Sequence, residues 1–141
     1  MSHLTNRRNV TIEWGHCDPA NMVLITRYFE FADWSTILLF QTALQMTKPE
    51  MNKKYDADFP LVDVRGRFIK PLKVTDPVEI ASTIREFRKS SFDATHQFFS
   101  REELVAEVQE TRVWVRFDPS ERPKLTPMQI PVEIIDRFQA P

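Results

Sequence analysis

The order of the predicted elements, with one long helix ahead of four closely spaced strands, constrains the fold of this chain most. Residues from about 26 to 46 contain no Gly or Pro, which predicts a helix. Four later segments are rich in Val, Ile, Thr and aromatic residues and are separated by breaks that contain Pro, Asp, Ser or Glu. They span 61–70, 77–87, 92–101 and 105–117. Strands this close in sequence predict an antiparallel sheet.

Shorter segments complete the pattern. Apolar and polar residues alternate over 10–14, which predicts a strand ahead of the long helix. Residues 47–58 indicate a loop or a short surface helix, 118–124 form a polar, Pro-rich link, and 131–138 predict a terminal helix with Pro at its first turn. The chain has 141 residues, of which 42% are hydrophobic, which suffices for one core. We therefore predict an α+β fold in a single domain over residues 1–141.

Apolar side chains fall on both faces of the last strand. Val113, Val115 and Phe117 alternate there with Trp114. A single long helix covers only one face of a sheet. We therefore expect a second subunit to cover part of the other face.

Composition and charge exclude several classes of function. The 19 basic and 20 acidic side chains give a net charge of -1, so no broad basic surface is expected to attract nucleic acid. Only two glycines are present, and no glycine-rich phosphate loop occurs. The longest apolar runs, 22–25 and 37–40, are too short to cross a bilayer. One cysteine and an N-terminus without an apolar leader favour a cytoplasmic protein.

The segment 12–23, IEWGHCDPANMV, carries the most chemical information. It places Asp18 in a turn between the first strand and the long helix. Backbone N–H groups at a helix N-terminus are unpaired and, together with the helix dipole, can stabilise a developing oxyanion. A carboxylate beside such a site suits acyl transfer, although Asp before Pro is also typical of a plain turn or a helix cap.

His16 and Cys17 raise two further interpretations, a metal site and a cysteine nucleophile. Adjacent side chains on extended backbone point in alternating directions, so His16, Cys17 and Asp18 cannot converge on one ion. We expect no metal. The same alternation separates Cys17 from His16 as its base, which leaves His96 on a later strand as the alternative base.

These residues resemble a known family. The run 12–20, together with Tyr28 and Asp33, resembles the signature of hotdog-fold thioesterases of the 4-hydroxybenzoyl-CoA type. The segment 86–92, EFRKSSF, resembles the basic turn that holds the nucleotide phosphates of coenzyme A in that family. The element order is also similar to the hotdog order, in which an antiparallel sheet wraps around one long helix.

The resemblance implies an acyl-CoA thioesterase in which Asp18 attacks the thioester carbonyl or activates water. Backbone amides at the helix start, here Val23, Leu24 and Ile25, would polarise the carbonyl oxygen, and Asp33 would position the substrate. The residues implied to bind the phosphates are Arg88, Lys89, Ser90 and Ser91. No cofactor is implied beyond the coenzyme A of the substrate. The family's site lies between two subunits, so we expect a homodimer and, from it, a homotetramer.

The acyl group stays open at this point. Asn21-Met22 replaces the glycine-containing pair that is usual in the family, and Asn tolerates positive φ. Phe59 and Pro60 stand where the benzoyl-specific enzyme is more polar. The apolar side chains expected to line an acyl pocket are Met22, Leu24, Trp34 and Phe59. Such a pocket favours an aromatic acyl group or a short to medium aliphatic one.

Three alternatives remain beside an aromatic-CoA thioesterase. One is a thioesterase for short- or medium-chain acyl-CoA or acyl carrier protein, and another is a hotdog protein that binds acyl-CoA without turnover. The third is a dehydratase of the same fold. That chemistry usually requires a His in the helix region, and residues 26–46 contain none.

Overall fold

A computed structural model describes residues 3–118 and 124–139 of the chain. The described elements are seven strands, three α-helices and one 3₁₀ turn. In chain order they are β1 (Thr5–Thr11), the 3₁₀ turn (Trp14–His16), α1 (Ile25–Leu44), α2 (Lys48–Tyr55), β2 (Leu61–Phe68), β3 (Pro77–Phe87), β4 (Ser91–Ser100), β5 (Glu103–Val113), β6 (Val115–Asp118), β7 (Lys124–Pro127) and α3 (Val132–Arg137).

Five strands form one antiparallel sheet in the order β1-β3-β4-β5-β2. Helix α1 packs on the inner face of this sheet and buries the side chains of Tyr28, Phe31, Leu39 and Phe40 against it. The strands alternate accordingly, and β4 buries Phe92, Ala94, His96, Phe98 and Ser100. The predicted α+β class and the wrapping of the sheet around one long helix are confirmed.

The short helix α2 resolves the choice left open for residues 47–58. The Thr47 hydroxyl accepts from the Glu50 amide while the Glu50 carboxylate accepts from the Thr47 amide, which forms a capping box. Pro49 occupies the first turn, where its missing N–H costs nothing. The terminal helix is also present as α3, one residue inside the predicted range at each end.

The strand predicted over residues 10–14 is wrong in its second half. Strand β1 starts earlier, at Thr5, and stops at Thr11. Glu13 then begins a 3₁₀ turn by accepting from the His16 amide, and the Glu13 amide donates to His16 Nδ1 at 2.9 Å. These local hydrogen bonds compete with the sheet ladder, so Trp14 leaves the core and is 79% exposed.

The expectation of an apolar second sheet face is also wrong. The predicted strand 105–117 ends at Val113, and Trp114 and Val115 are both buried where the chain bends into β6. The outer positions of β3, β4 and β5 are mostly polar: Glu79, Thr83, Thr95, Gln97, Glu107, Gln109 and Thr111. Exposed apolar side chains lie instead around the start of α1 and along β2: Met22, Leu24, Ile25, Leu61, Val62, Phe68 and Ile69.

Among the residues that the structure describes, six non-glycine residues adopt positive φ, whereas neither glycine does. They are Asn21, Gln45, Asp56, Thr75, Arg101 and Glu102. Gln45 and Asp56 end α1 and α2 in the left-handed conformation that glycine usually supplies. No helix among the described residues is long and apolar enough to cross a membrane.

Candidate active site

Asp18 lies in a closed turn between the 3₁₀ turn and α1. Its Oδ1 atom accepts from the Ala20 amide at 2.8 Å and from the Met22 amide at 3.1 Å. Backbone bonds from the Asp18 amide to the Met22 carbonyl and from the Asn21 amide to the Asp18 carbonyl, both 2.9 Å, close the turn. Asn21 has φ 65°, the conformation for which Asn substitutes best for glycine. Within the described part of the chain, Oδ2 receives no hydrogen bond.

The start of α1 has no side-chain cap and no acidic residue in its first turn. Two of the three amides expected there are already engaged, since Val23 donates to the Leu72 carbonyl at 2.9 Å and Leu24 to the His16 carbonyl at 3.0 Å. Helix geometry leaves the amides of Ile25 and Thr26 without an intrahelical acceptor. The set of amides that can face a ligand therefore shifts from Val23–Ile25 to Ile25 and Thr26.

A shallow cleft of about 270 Å³ opens beside this helix start. It is lined mainly by apolar side chains, among them Val23, Ile25, Tyr28, Phe68 and Ile69. Burial raises the pKa of the Tyr28 hydroxyl, which keeps it neutral at ordinary pH. The cleft can hold an apolar group next to the open amides.

The residues predicted to line one acyl pocket do not share one environment. Phe59 is 1% exposed and packs in the core, with ring centroids 4.5 Å from Phe40 and 5.7 Å from Phe92. Met22, Leu24 and Trp34 are instead exposed. The carbonyl of Pro60 accepts from the Val113 amide, so this segment is fixed to the end of β5.

The basic turn between β3 and β4 has its arginine engaged by carboxylates. Arg88 contacts both carboxylate oxygens of Asp93, at 2.9 and 2.7 Å, and Oε2 of Glu86 at 3.1 Å, and its Nε donates to the Ser91 hydroxyl. The hydrogen bonds from Arg88 hold the pKa of Asp93 below its usual range. Lys89 is exposed and Ser90 half-buried. A phosphate at this turn would compete with Asp93 for Arg88.

The Cys17 thiol is not activated. Its Sγ donates to the Glu13 carbonyl at 3.7 Å, and desolvation followed by the charges of Asp18 and Asp76 raises its pKa. His16 points its Nδ1 at the Glu13 amide rather than at the thiol. Among the described residues no group of three His, Cys, Asp or Glu side chains could hold a metal ion.

Sequence reasoning missed a buried polar cluster between α1 and the sheet. His96 contacts the Ser82 hydroxyl through Nδ1 at 2.7 Å and reaches Thr36 Oγ1 at 2.9 Å and Glu110 Oε1 at 3.1 Å through Nε2. The Thr36 hydroxyl also donates to Glu110. A signal existed, because Glu110 and Arg112 continue the inward alternation of Ala106 and Val108 along β5.

Arg112 joins this cluster to the surface of α1. Its Nε and Nη2 donate to the two carboxylate oxygens of Glu110 at 3.2 and 2.9 Å. Nη2 also donates to Asp33 Oδ1 at 2.6 Å, and Nη1 donates to the Phe59 carbonyl at 3.2 Å. Burial alone would raise the pKa of Glu110, but hydrogen bonds from His96 and Arg112 lower it to about 2. The Asp33 side chain is 50% exposed.

Solved structures with this architecture include several thioesterases. A gentisyl-coenzyme A thioesterase is 28% identical, with a TM-score of 0.79 over 92% of this chain and 99% of that one. The 4-hydroxybenzoyl-CoA thioesterase from Pseudomonas sp. strain CBS-3 is 23% identical, with a TM-score of 0.85 over 94% and 98%. An aspartate-to-asparagine variant of a 4-hydroxybenzoyl-CoA thioesterase, complexed with 4-hydroxybenzoyl-CoA, is 21% identical, with a TM-score of 0.86 over 96% and 99%.

These likenesses confirm the hotdog fold. No curated protein shows significant sequence similarity to the chain. The family model described as the thioesterase-like superfamily matches residues 12–137. That range includes the Asp18 turn, the start of α1 and every strand of the five-stranded sheet except β1, which ends at Thr11. The chain therefore belongs to the thioesterase-like superfamily.

Proposed function

We propose that this protein is an acyl-CoA thioesterase that hydrolyses an aromatic, benzoyl-type CoA thioester, with Asp18 as nucleophile or general base. The observation that carries the proposal is the Oδ2 of Asp18, which accepts no hydrogen bond from the described residues and lies in a closed turn beside the uncapped start of α1. Family membership supports thioester hydrolysis. The similar structures named for gentisyl-CoA and 4-hydroxybenzoyl-CoA support an aromatic acyl group.

Two routes are open to Asp18. As a nucleophile, Oδ2 adds to the thioester carbonyl, the thiolate departs with the C–S electron pair, and water then cleaves the mixed anhydride. As a general base, the carboxylate takes a proton from water while the water oxygen attacks. Both routes place negative charge on the carbonyl oxygen, and the amides of Ile25 and Thr26 are the donors available to stabilise it. A thiolate is a good leaving group, so neither route needs a strong general acid.

A second subunit completes the site in this proposal. Strand β2 is hydrogen-bonded to β5 on one side and has no strand partner on the other within the described residues. Its side chains Leu61, Val62 and Phe68 are 43%, 58% and 42% exposed, and Phe68 also lines the helix-start cleft. Exposed apolar edge strands pair with other chains. Pairing of two β2 edges gives the homodimer, and dimers of this kind associate into the proposed homotetramer.

Asp33 is the proposed substrate-positioning carboxylate. It lies eight residues beyond Ile25, about 12 Å along the helix axis. Asp33 therefore lies far from Asp18 of the same protomer, and one substrate can contact both only if it spans that distance. In the dimer, Asp33 of one protomer is proposed to face the Asp18 cleft of its partner.

The coenzyme A phosphates are proposed to bind at the turn formed by Arg88, Lys89, Ser90 and Ser91. Arg88 exchanges its Asp93 contacts for phosphate oxygens, which present the same bidentate acceptor geometry. Lys89 is exposed and adds a second positive charge. The remainder of the coenzyme crosses the surface towards the apolar cleft at Phe68 and Ile69.

The test is hydrolysis of a CoA ester panel, from benzoyl, hydroxybenzoyl and gentisyl to acetyl and octanoyl, with released thiol measured. Asp18→Asn keeps an oxygen that can accept from Ala20 and Met22, so its turn and its unfolding temperature are expected to stay close to wild type. Its kcat is expected to fall at least about 100-fold, the usual scale for loss of a catalytic acid–base group. The control is Glu79→Gln, which alters an outer-face carboxylate paired with Arg7.

Three outcomes separate the proposals. Full turnover by Asp18→Asn contradicts the role of Asp18. A preference for aliphatic esters contradicts the aromatic substrate and favours a short- or medium-chain acyl-CoA thioesterase. Tight binding without turnover contradicts the enzyme assignment and favours an acyl-CoA-binding protein. Single turnover in ¹⁸O-labelled water then tests the nucleophilic route, because label enters the Asp18 carboxylate only when an anhydride forms and water opens it at the aspartyl carbonyl.

A further inference from the structure

We propose that Arg112 is the positioning residue that fixes Asp33 and the Phe59 carbonyl relative to one another at the substrate-binding surface. This inference rests on the proposed function, because it assumes that Asp33 contacts the substrate. It concerns a residue that touches no substrate itself. Arg112 is 5% exposed at its side chain, beneath the half-exposed Asp33.

The geometry of the guanidinium supports the proposal. Its planar fork reaches three separate parts of the chain, namely Glu110 on its own strand, Asp33 on α1 and the Phe59 carbonyl ahead of β2. Asp33 and Arg112 are 79 residues apart in sequence. A rigid fork with three fixed acceptors determines the distance between helix and edge-strand segment in a way that a flexible ammonium does not.

The cluster behind Arg112 holds it in place. Glu110 Oε1 accepts from Arg112, His96 and Thr36, and Ser82 completes the chain on the far side of His96. Every one of these polar groups has a hydrogen-bond partner within the cluster. Elements β3, β4, β5 and α1 each supply at least one member, so the guanidinium cannot rotate without breaking several hydrogen bonds.

Stability alone is a poor explanation for such a cluster. Taking a carboxylate and a guanidinium out of water is costly, and well-packed apolar residues often replace a buried ion pair without loss of stability. Asp33, by contrast, stays half in solvent with Oδ1 on Arg112 and Oδ2 without a hydrogen bond from any described residue. The arrangement presents one oriented carboxylate oxygen to the outside.

The experiment compares Arg112→Lys, Asp33→Asn and the double variant with Arg8→Lys as the matched control. Arg8 also ties α1 to the sheet, through Ser35 and the Phe31 carbonyl, but contacts neither Asp33 nor Phe59. All assays use folded protein well below each unfolding temperature. Because Asp33 is a binding contact away from the reacting carbonyl, Arg112→Lys is expected to raise KM for the preferred ester about tenfold with kcat little changed. Arg8→Lys is expected to leave both constants within about twofold.

The double variant is the decisive comparison. If Arg112 acts through Asp33, Arg112→Lys adds no further rise in KM once Asp33 is Asn. The inference is overturned if the two substitutions raise KM independently, so that their factors multiply in the double variant. It is also overturned if Arg112→Lys has the same KM as the wild type. If Arg112→Lys does not fold, the test uses Asp33→Glu instead. The longer side chain keeps the negative charge but moves the carboxylate away from the position that Arg112 fixes. An unchanged KM in Asp33→Glu contradicts positioning.

Failure of the proposed function gives a different result. A wild-type protein that hydrolyses no ester of the panel contradicts the enzyme assignment, and the same variants are then compared by calorimetric binding of a non-hydrolysable thioether analogue of benzoyl-CoA. A loss of affinity in Arg112→Lys that vanishes in the Asp33→Asn background supports the inference without catalysis. Absence of both hydrolysis and binding overturns the two together.

Discussion

The amide of Leu24 donates to the carbonyl oxygen of His16 at 3.0 Å, which ties the first residue ahead of α1 to the turn ahead of Asp18. Cys17 and Val23, the residues next to His16 and Leu24 on the loop side, form an isolated antiparallel β-bridge. The turn that carries Asp18 and the helix start that carries the open amides are therefore one hydrogen-bonded unit. Their relative position is set by backbone contacts rather than by the side chains of the site.

Removal of Arg88 is expected to weaken binding of the nucleotide part of the substrate only. Arg88→Ala should raise KM for a CoA ester about tenfold, since one charge-assisted contact to phosphate is lost. The matched substrate is the N-acetylcysteamine ester of the same acid, which has no phosphate, and its KM should not change. Equal KM values for the CoA ester in wild type and variant contradict the phosphate assignment and favour a carrier-protein substrate.

A charge on the edge of β2 that pairs with no described strand is expected to separate the subunits. Val62 is 58% exposed, and Val62→Lys places an ammonium where two β2 strands would meet. Leu125→Lys serves as the control, because Leu125 is similarly exposed at 52% but lies on β7. Light scattering after size exclusion should show a smaller particle for Val62→Lys alone. A wild-type mass for both variants places the interface elsewhere.

Acid is expected to destabilise the protein through Glu110. The pKa of Glu110 in the folded protein is lowered to about 2 from the ordinary 4.5 of a glutamate, because His96 and Arg112 donate hydrogen bonds to it. A lowered carboxyl pKa contributes stability that is complete above the unfolded pKa and is lost as pH falls between about 4.5 and 2, by roughly 3 kcal/mol in total. Thermal unfolding scans across this range measure the loss.

Glu110→Gln should remove that part of the acid dependence. At neutral pH the same variant should unfold at a much lower temperature, because it leaves Arg112 buried without its principal counter-charge. Glu107→Gln on the outer position of the same strand controls for the general effect of one carboxylate. Parallel acid profiles for wild type and Glu110→Gln would contradict this account.

The two glycines are expected to differ sharply in tolerance. A Cβ atom at Gly66 would lie 2.6 Å from the Phe68 ring and 3.1 Å from the Phe29 ring, whereas one at Gly15 meets nothing within 4 Å. Gly66→Ala should therefore lower the free energy of unfolding by about 1–3 kcal/mol through overpacking. Gly15→Ala should be close to neutral in the same denaturant titration. Similar unfolding midpoints for Gly66→Ala and wild type would show that Phe68 moves aside freely.

Regular parts of the fold were accessible from sequence. The Gly- and Pro-free segment gave α1 within two residues at either end, and the strand Pro77–Phe87 agrees at both bounds. Trp14 was misplaced because its apolar side chain continued a two-residue alternation. The strand ends because Glu13 and His16, three residues apart, hydrogen-bond to each other, and a two-residue alternation pattern cannot predict a contact at that spacing.

Long-range partners explain what the sequence did not reveal about the site. The carbonyls that engage Val23 and Leu24 belong to Leu72 and His16, and only the folded chain brings Leu72 to that position. The inward direction of Arg112 follows from strand periodicity, but its contact with Asp33 depends on how α1 crosses the sheet. Pairing of Arg88 with Asp93 across a short turn was, by contrast, within reach of a sequence argument.

The left-handed residues have a practical consequence for engineering. Thr75, at φ 73°, is β-branched, the class of residue that resists this conformation most. It belongs to a turn that contacts the Asp18 turn, since the amide of the preceding Val74 donates to the Asn21 carbonyl, and its own amide donates to the Ile12 carbonyl. Thr75→Gly would relieve this backbone strain while keeping the hydrogen bond from the residue 75 amide to the Ile12 carbonyl. In a chain this poor in glycine, the left-handed positions of the described residues are therefore the places where a glycine substitution relieves backbone strain.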